Sequence, residues 1–208
     1  MKHDEALEAV KSRVANDRLI KHMLAVEAIM QAVAARLGEN EETWALAGLV
    51  HDIDYDETAK DPARHGLVGG GYLREMKVDE AVVHAVESHA GHRSRDSRMD
   101  KALYAVDPLS GLLVAAALMH PSKKIGALDA EFVLNRFKEK RFAAGANREQ
   151  IKSCEELGLS LADFVGIGLR AMQQISGEQK ERARYQDAAL LAVLLQNLVD
   201  EAVPIAFQ

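Results

Sequence analysis

Apolar residues recur along this chain at helical spacing, and over no useful length do they alternate as a half-buried strand requires. Between residues 18 and 37, His22, Val26, Ile29, Val33 and Leu37 fall three or four positions apart, forming one inward stripe, and Gly38 closes that helix. A second helix is predicted over 41–53, with Trp44, Ala47, Gly48 and His51 on one face, where the small residues let a neighbouring helix come close. The polar stretch DIDYDETAKDP, ending in Pro62, predicts a loop before a helix near 63–76. Further helices are expected at 79–90, 99–107, 109–119 and 130–138, and Asn147 with Gln150 reads as the capping box of another. A densely charged stretch at 178–184 precedes an apolar helix at 188–199, which either packs back on the core or joins two subunits as a homodimer. The expected fold is all-α: a helical domain over 1–177, then a charged linker and C-terminal apolar helix over 178–208.

Composition narrows the classes. The 208 residues give room for one substantial domain with a helical appendage. A single cysteine, Cys154, forbids an internal disulfide and reads as a thiol packed in a helix. The amino-terminal residues contain no apolar h-region, and the apolar run at 109–119 is shorter than the roughly eighteen residues of a membrane span, so a cytoplasmic location away from the membrane is expected. A net charge of −6 argues against non-specific nucleic-acid binding, so nucleic acid is not expected as a partner. It leaves room for one small anionic substrate.

Three places along the chain carry candidate chemistry. His22 lies on the apolar stripe of its helix, where a neutral imidazole must have its nitrogens satisfied. His51 and Asp52 stand side by side at the end of the apolar helix in ALAGLVHDID. Adjacent side chains on a helix diverge by about 100°, so this pair meets at one point only near an ion. Asp107 is expected to end a helix in ALYAVDPLSG, with no basic residue four positions either side, and a carboxylate at the core is costly there without a cation. Together His22, His51, Asp52 and Asp107 make a two-nitrogen, two-oxygen set suited to Mn, Fe, Co, Ni or Zn.

The order His, then His-Asp, then Asp, each from its own helix, with LVHDID followed about fifty residues later by LYAVDPLSG, resembles the HD superfamily of metal-dependent phosphohydrolases over about residues 10–175. His65 in RHGLVGGGYL and His89 in VESHAGH stand where the two-metal branch of that family, which includes bacterial dinucleoside tetraphosphate hydrolases, has further ligands. The resemblance implies an HD-type helical bundle, one or two divalent transition-metal ions, Asp52 bridging them, and His65 and His89 completing a second site. His84, five residues from His89, is the rival ligand. The remaining histidines, His3, His92 and His120, read as solvated or capping residues.

The chain departs from the common family pattern after His51-Asp52-Ile53, where Asp54-Tyr55 stands in place of Gly-Lys. A phosphate-binding lysine is thus missing, and Asp54 and Asp56 either add negative charge or are loop carboxylates. Positive charge for an anionic substrate is sought in Arg18, one turn before His22, in Lys101, and in the basic loop with Lys138, Lys140, Arg141 and Arg148. The resemblance implies hydrolysis of a nucleotide or other small phosphoester by metal-activated water, with Asp52 positioning the nucleophile and His65 or Asp54 assisting proton transfer. Two alternatives share the pattern: a di-iron oxygenase of the same superfamily, and a non-catalytic nucleotide-binding HD module. The chain contains no P-loop or dinucleotide fingerprint.

Overall fold

The computed structural model describes the backbone of residues 1–139 and 141–183, and the side chains of 1–139 and 141–177. Lys140 and the apolar helix expected at 188–199, with the dimer contact assigned to it, lie outside the described residues. Those described are all helix, turn and loop, as the spacing of apolar positions implied. They form two compact units that divide between Asp107 and Pro108.

In the first unit, helix α1 spans His3–Lys11 and α2 spans Asp17–Leu37. Asn16 caps α2 by accepting from the Arg18 amide, and Gly38 ends it in the left-handed region at φ 71°. Helix α3, Glu41–Val50, is capped by Asn40 through the Thr43 amide. The short α4, Tyr55–Thr58, is followed by α5, Leu67–Glu75, and α6, Glu80–His89. Helix α2 packs along α3, α5 along α6, and α3 also meets α1 and α6. Val26, Ile29, Val33, Trp44, Ala47 and Val86 are among the residues buried between them.

Helices α2 and α3 come close at Gly48, where an added Cβ would lie 2.8 Å from both Cα and N of Glu27. The bare backbone there brings α2 and α3 together, and with them His22 and His51.

Three boundaries differ from the sequence expectation. Helix α3 stops at Val50, and His51 to Asp54 form a turn. Helix α5 starts at Leu67 because Gly66, at φ 78°, cannot continue a right-handed helix, and a Cβ there would lie 2.7 Å from the Ala90 Cβ. The segments 99–107 and 109–119 are one helix, α7, Arg98–Met119, with Pro108 inside it, so Asp107 sits within a helix instead of ending one. Leu103, Val106, Leu109, Leu112 and Leu113 continue one buried stripe through the proline, and burying it outweighs an interior proline's cost of about 3 kcal/mol. By length and composition α7 could cross a membrane, but 61% of its most apolar window is buried, as in a core helix.

The second unit holds a 3-10 turn at Ile125–Ala127, helix α8 over Ala130–Phe137, α9 over Arg148–Lys152 with a 3-10 continuation at Ser153–Leu157, and α10 over Leu161–Ala183. Asn147 caps α9, accepting from the Glu149 and Gln150 amides. Gln173 on α10 donates to the Ile125 and Leu128 carbonyls at 3.1 and 3.0 Å. Cys154 is buried, and burial pushes its thiol up to about 11, as suits a packing residue. Arg148 turns inward, donating to the carbonyls of Phe137, Phe142, Ala143 and Ala146, so it staples the basic loop and does not serve a substrate.

Two outcomes follow from this packing. Gly48→Ala forces α2 and α3 apart and lowers stability by about 1–3 kcal/mol, measured by urea denaturation; an unchanged midpoint would show that the contact has slack. Arg148→Met removes the guanidinium bonds to four carbonyls and speeds protease cleavage within 138–147, leaving cleavage in the first unit unchanged.

Candidate metal centre

Six side chains singled out in the sequence meet within the first unit. His22 comes from the first half of α2, His51 and Asp52 from the turn closing α3, His65 from the turn before α5, His89 from the last position of α6, and Asp107 from α7. His22 Nε2 lies 3.1 Å from His51 Nε2 and 3.2 Å from Asp107 Oδ1. His51 Nε2 lies 3.9 Å from the same Asp107 oxygen. Donor atoms of His22, His51 and Asp107 fall within 4.8 Å of one another, as do those of His51, Asp52 and His89.

Asp52 stands between two pairs of imidazoles and divides its carboxylate between them. Its Oδ2 faces His22 Nε2 at 3.6 Å and His51 Nε2 at 3.4 Å. Its Oδ1 faces His65 Nε2 at 3.3 Å and His89 Nε2 at 3.5 Å.

The far side of three of these rings is engaged. His51 Nδ1 donates to the Gly48 carbonyl at 2.8 Å, His89 Nδ1 to the Val86 carbonyl, and His65 Nδ1 to Asp54 Oδ1 at 3.0 Å. A carbonyl or carboxylate can only accept, so each bond places a proton on Nδ1 and, in the neutral ring, leaves the Nε2 lone pair facing Asp52. The two carbonyls each belong to the last turn of the ring's own helix, three residues back, so helix geometry alone orients His51 and His89.

Such a gathering is costly when empty of positive charge. Burial would lower the His51 pKa, but the Asp52 carboxylate beside it, with Asp107 further off, raises it to about 9. Burial likewise opposes charge on His65, and hydrogen bonds to Asp52 and Asp54 outweigh it, raising His65 to about 10. Burial would push Asp52 up, yet the facing imidazoles hold it well below the usual carboxylate range, and against the same burial the hydrogen bond to His22 lowers Asp107. Without a metal the cluster balances its carboxylates with protons; a divalent cation would satisfy the same donors directly. Imidazole nitrogens with carboxylate oxygens in a buried setting fit a first-row divalent ion, so the donor set suits the expected metal.

Other expected residues fall outside. His84 Nδ1 pairs with Asp100 Oδ2 at 3.1 Å, so His89, and not its rival, joins the cluster. His3 is bonded to Glu27 at 2.7 Å, and His120 Nδ1 accepts from the Ser122 amide at 3.2 Å, the first a partnered residue and the second a cap. Of the expected substrate-binding residues, Arg18 is half-buried one turn before His22, Lys101 is half-buried on α7, and Arg141 is exposed in the second unit.

Residues following the His-Asp pair make contacts that the sequence left open. Asp54 is 1% exposed and faces inward, whereas Asp56 is exposed on α4 and accepts the Ala15 and Asn16 amides. The Tyr55 ring stands edge-on to His65 with centroids 5.5 Å apart, and burial with nearby Asp52 and Asp107 raises its phenol pKa. Their adjacency to the His-Asp pair in HDIDY was the available signal.

Similarity to known proteins points the same way as the geometry. Relatives include the ribonuclease Y of Sulfurovum sp., 28% identical over 133 residues, covering 62% of this chain and 26% of the relative. That of Streptococcus sanguinis is 30% identical over 134 residues, covering 63% and 25%. The chain therefore spans about a quarter of the length of these curated relatives. The match to the HD domain runs over residues 19–163, well over half of the sequence, and the chain belongs to that family.

Proposed function

We propose that the chain is a metal-dependent phosphohydrolase of the two-metal type, acting on a phosphoester of a nucleotide or of a short RNA end. The observation that carries this is Asp52, whose two carboxylate oxygens each face a separate pair of imidazole Nε2 atoms. His22, His51 and Asp107 would hold one ion and His65 and His89 the other, with Asp52 between them. Divalent ions held there would neutralise charge on a phosphoryl group and acidify a water molecule.

The chain's own residues supply the rest. Asp52 is kept ionised by its neighbours and fixes the spacing of the two halves. Helices α2, α3 and α6 exclude bulk water from the back of the site, since His51 and His89 are buried while His22 stays part-exposed. Tyr55 stays a neutral phenol at physiological pH and offers an O–H beside His65. Arg18, on the same helix as His22, is the first candidate for a substrate phosphate.

A nucleotide is favoured by the net charge of −6, which offers little to a long polyanion. RNA is favoured by the name ribonuclease Y carried by the relatives.

Purified protein loaded with manganese should hydrolyse bis-p-nitrophenyl phosphate and at least one of a panel of mononucleotides, dinucleotides and short RNAs. Chelation should abolish this, and Asp52→Ala or His51→Ala should lose bound metal together with at least about 100-fold in rate. Turnover that requires dioxygen would replace the reading with the oxygenase, and wild-type rates in Asp52→Ala would end it.

Metal uptake should also release protons. At pH 7 His51 and His65 are both protonated in the metal-free protein, because their pKa values are raised to about 9 and about 10. As ligands they must be neutral, so up to about two protons leave per fully loaded chain, and release fades as pH rises through 9 to 10. Calorimetric titration in buffers of different ionisation enthalpy reads this number, and equal heats in all buffers would contradict it.

A further inference from the structure

Asp54 is a third carboxylate beside the cluster, and the proposed hydrolysis assigns it no place among the ligands. It is 1% exposed, and both carboxylate oxygens and the backbone carbonyl have defined partners. Its Oδ2 accepts the Gly66 and Gly69 amides, both at 2.8 Å. Its Oδ1 faces His65 Nδ1 at 3.0 Å, and its backbone carbonyl accepts the Thr58 hydroxyl at 2.9 Å. A Cβ on Gly69 would come within 3.3 Å of the Asp54 carboxyl carbon, so this carboxylate is seated against bare backbone. His51 and His89 take their orientation from carbonyls of their own helices, but His65 lies in a turn, and the acceptor nearest its Nδ1 is this side chain at 3.0 Å, with the Thr58 hydroxyl further off at 3.5 Å.

We infer that Asp54 is a positioning residue that holds the His65 proton on Nδ1 and so turns the Nε2 lone pair toward Asp52, making His65 able to bind the second metal ion. The inference rests on the reading of His65 as a ligand. Asp54 acts on the cluster through the ring.

Asparagine distinguishes this role from a structural one. In Asp54→Asn the amide has one acceptor atom in place of two. With that oxygen toward Gly66 and Gly69, both backbone bonds survive and the new NH2 group faces His65 Nδ1. The opposite orientation would keep the single bond to His65 and lose both backbone bonds, so the first is preferred. An NH2 group can only donate, so His65 must then accept at Nδ1 and carry its proton on Nε2, 3.3 Å from Asp52 Oδ1. The lone pair that would bind the metal is gone while the turn keeps its hydrogen bonds.

The experiment is zinc titration by calorimetry and metal analysis on wild type, Asp54→Asn, His65→Ala and the double variant, with long-range 1H–15N spectra of the zinc-loaded proteins. Expected are a roughly 10–100-fold weaker second zinc equivalent in Asp54→Asn, the first being retained. The double variant should bind no more weakly than His65→Ala alone, because Asp54 acts only through that ring. The spectra should show the His65 proton on Nδ1 in wild type and on Nε2 in Asp54→Asn. A wild-type spectrum with the proton on Nε2 overturns the inference without any substitution. So does unchanged zinc affinity in Asp54→Asn while His65→Ala loses an ion, or losses that add in the double variant. Unchanged zinc binding in His65→Ala would instead remove His65 from the ligand set, and the inference with it.

Discussion

Everything in the first unit that bears on chemistry is arranged around the Asp52 carboxylate, buried among four imidazoles. Taking a carboxylate out of water costs several kcal/mol unless positive charge or good donors replace the lost solvent. Four separate segments must therefore deliver their nitrogens to one place, and the fold is organised to do so. The close contact at Gly48 brings α2 against α3, the end of α6 faces the same point, and the turn before α5 closes over it. The cluster has a definite demand for cations, which protons meet only partly and at the expense of raised histidine pKa values.

Much of this was legible along the chain. His22 announced itself by sitting on an apolar stripe, and the His51-Asp52 pair by ending an apolar helix, because both are positions where an ionisable group needs a reason. Gly48 was readable as a point of close approach for the same kind of reason: three small or flat neighbours on one helical face. The choice between His84 and His89 was not readable, since helical spacing says that the two diverge but not which one faces the cluster. Asp100, which takes His84, is sixteen residues away in sequence. Pro108 was read as a boundary, and burial of a continuous stripe carried α7 through it, an override of local preference by packing. The part of Asp54 was left open because its partners at 65, 66 and 69 are joined to it only by the turn geometry.

Charge bears differently on the nature of the substrate. The net charge of −6 speaks for the surface as a whole, whereas the relatives' name concerns proteins of which this chain matches about a quarter. Both readings of the substrate ask only that one phosphoester meet the cluster.

The two halves of the cluster are not built alike, and this asymmetry is the consequence of Asp54 that matters most. His22 and Asp107 project from within long helices, and His51 is held by a carbonyl of its own last turn, so that half is as rigid as the helices themselves. His65 stands on a turn with a positive-φ glycine next to it, and a buried side chain, not a helix, sets its direction. A group held by helices is preorganised at no further cost, while one held by a turn depends on each bond that fixes the turn. The half containing His22, His51 and Asp107 therefore forms with the fold, and the half containing His65 forms only as well as Asp54 holds it. That is a physical reason for a buried carboxylate at position 54: one oxygen fixes the turn through the Gly66 and Gly69 amides while the other fixes the ring that the turn carries.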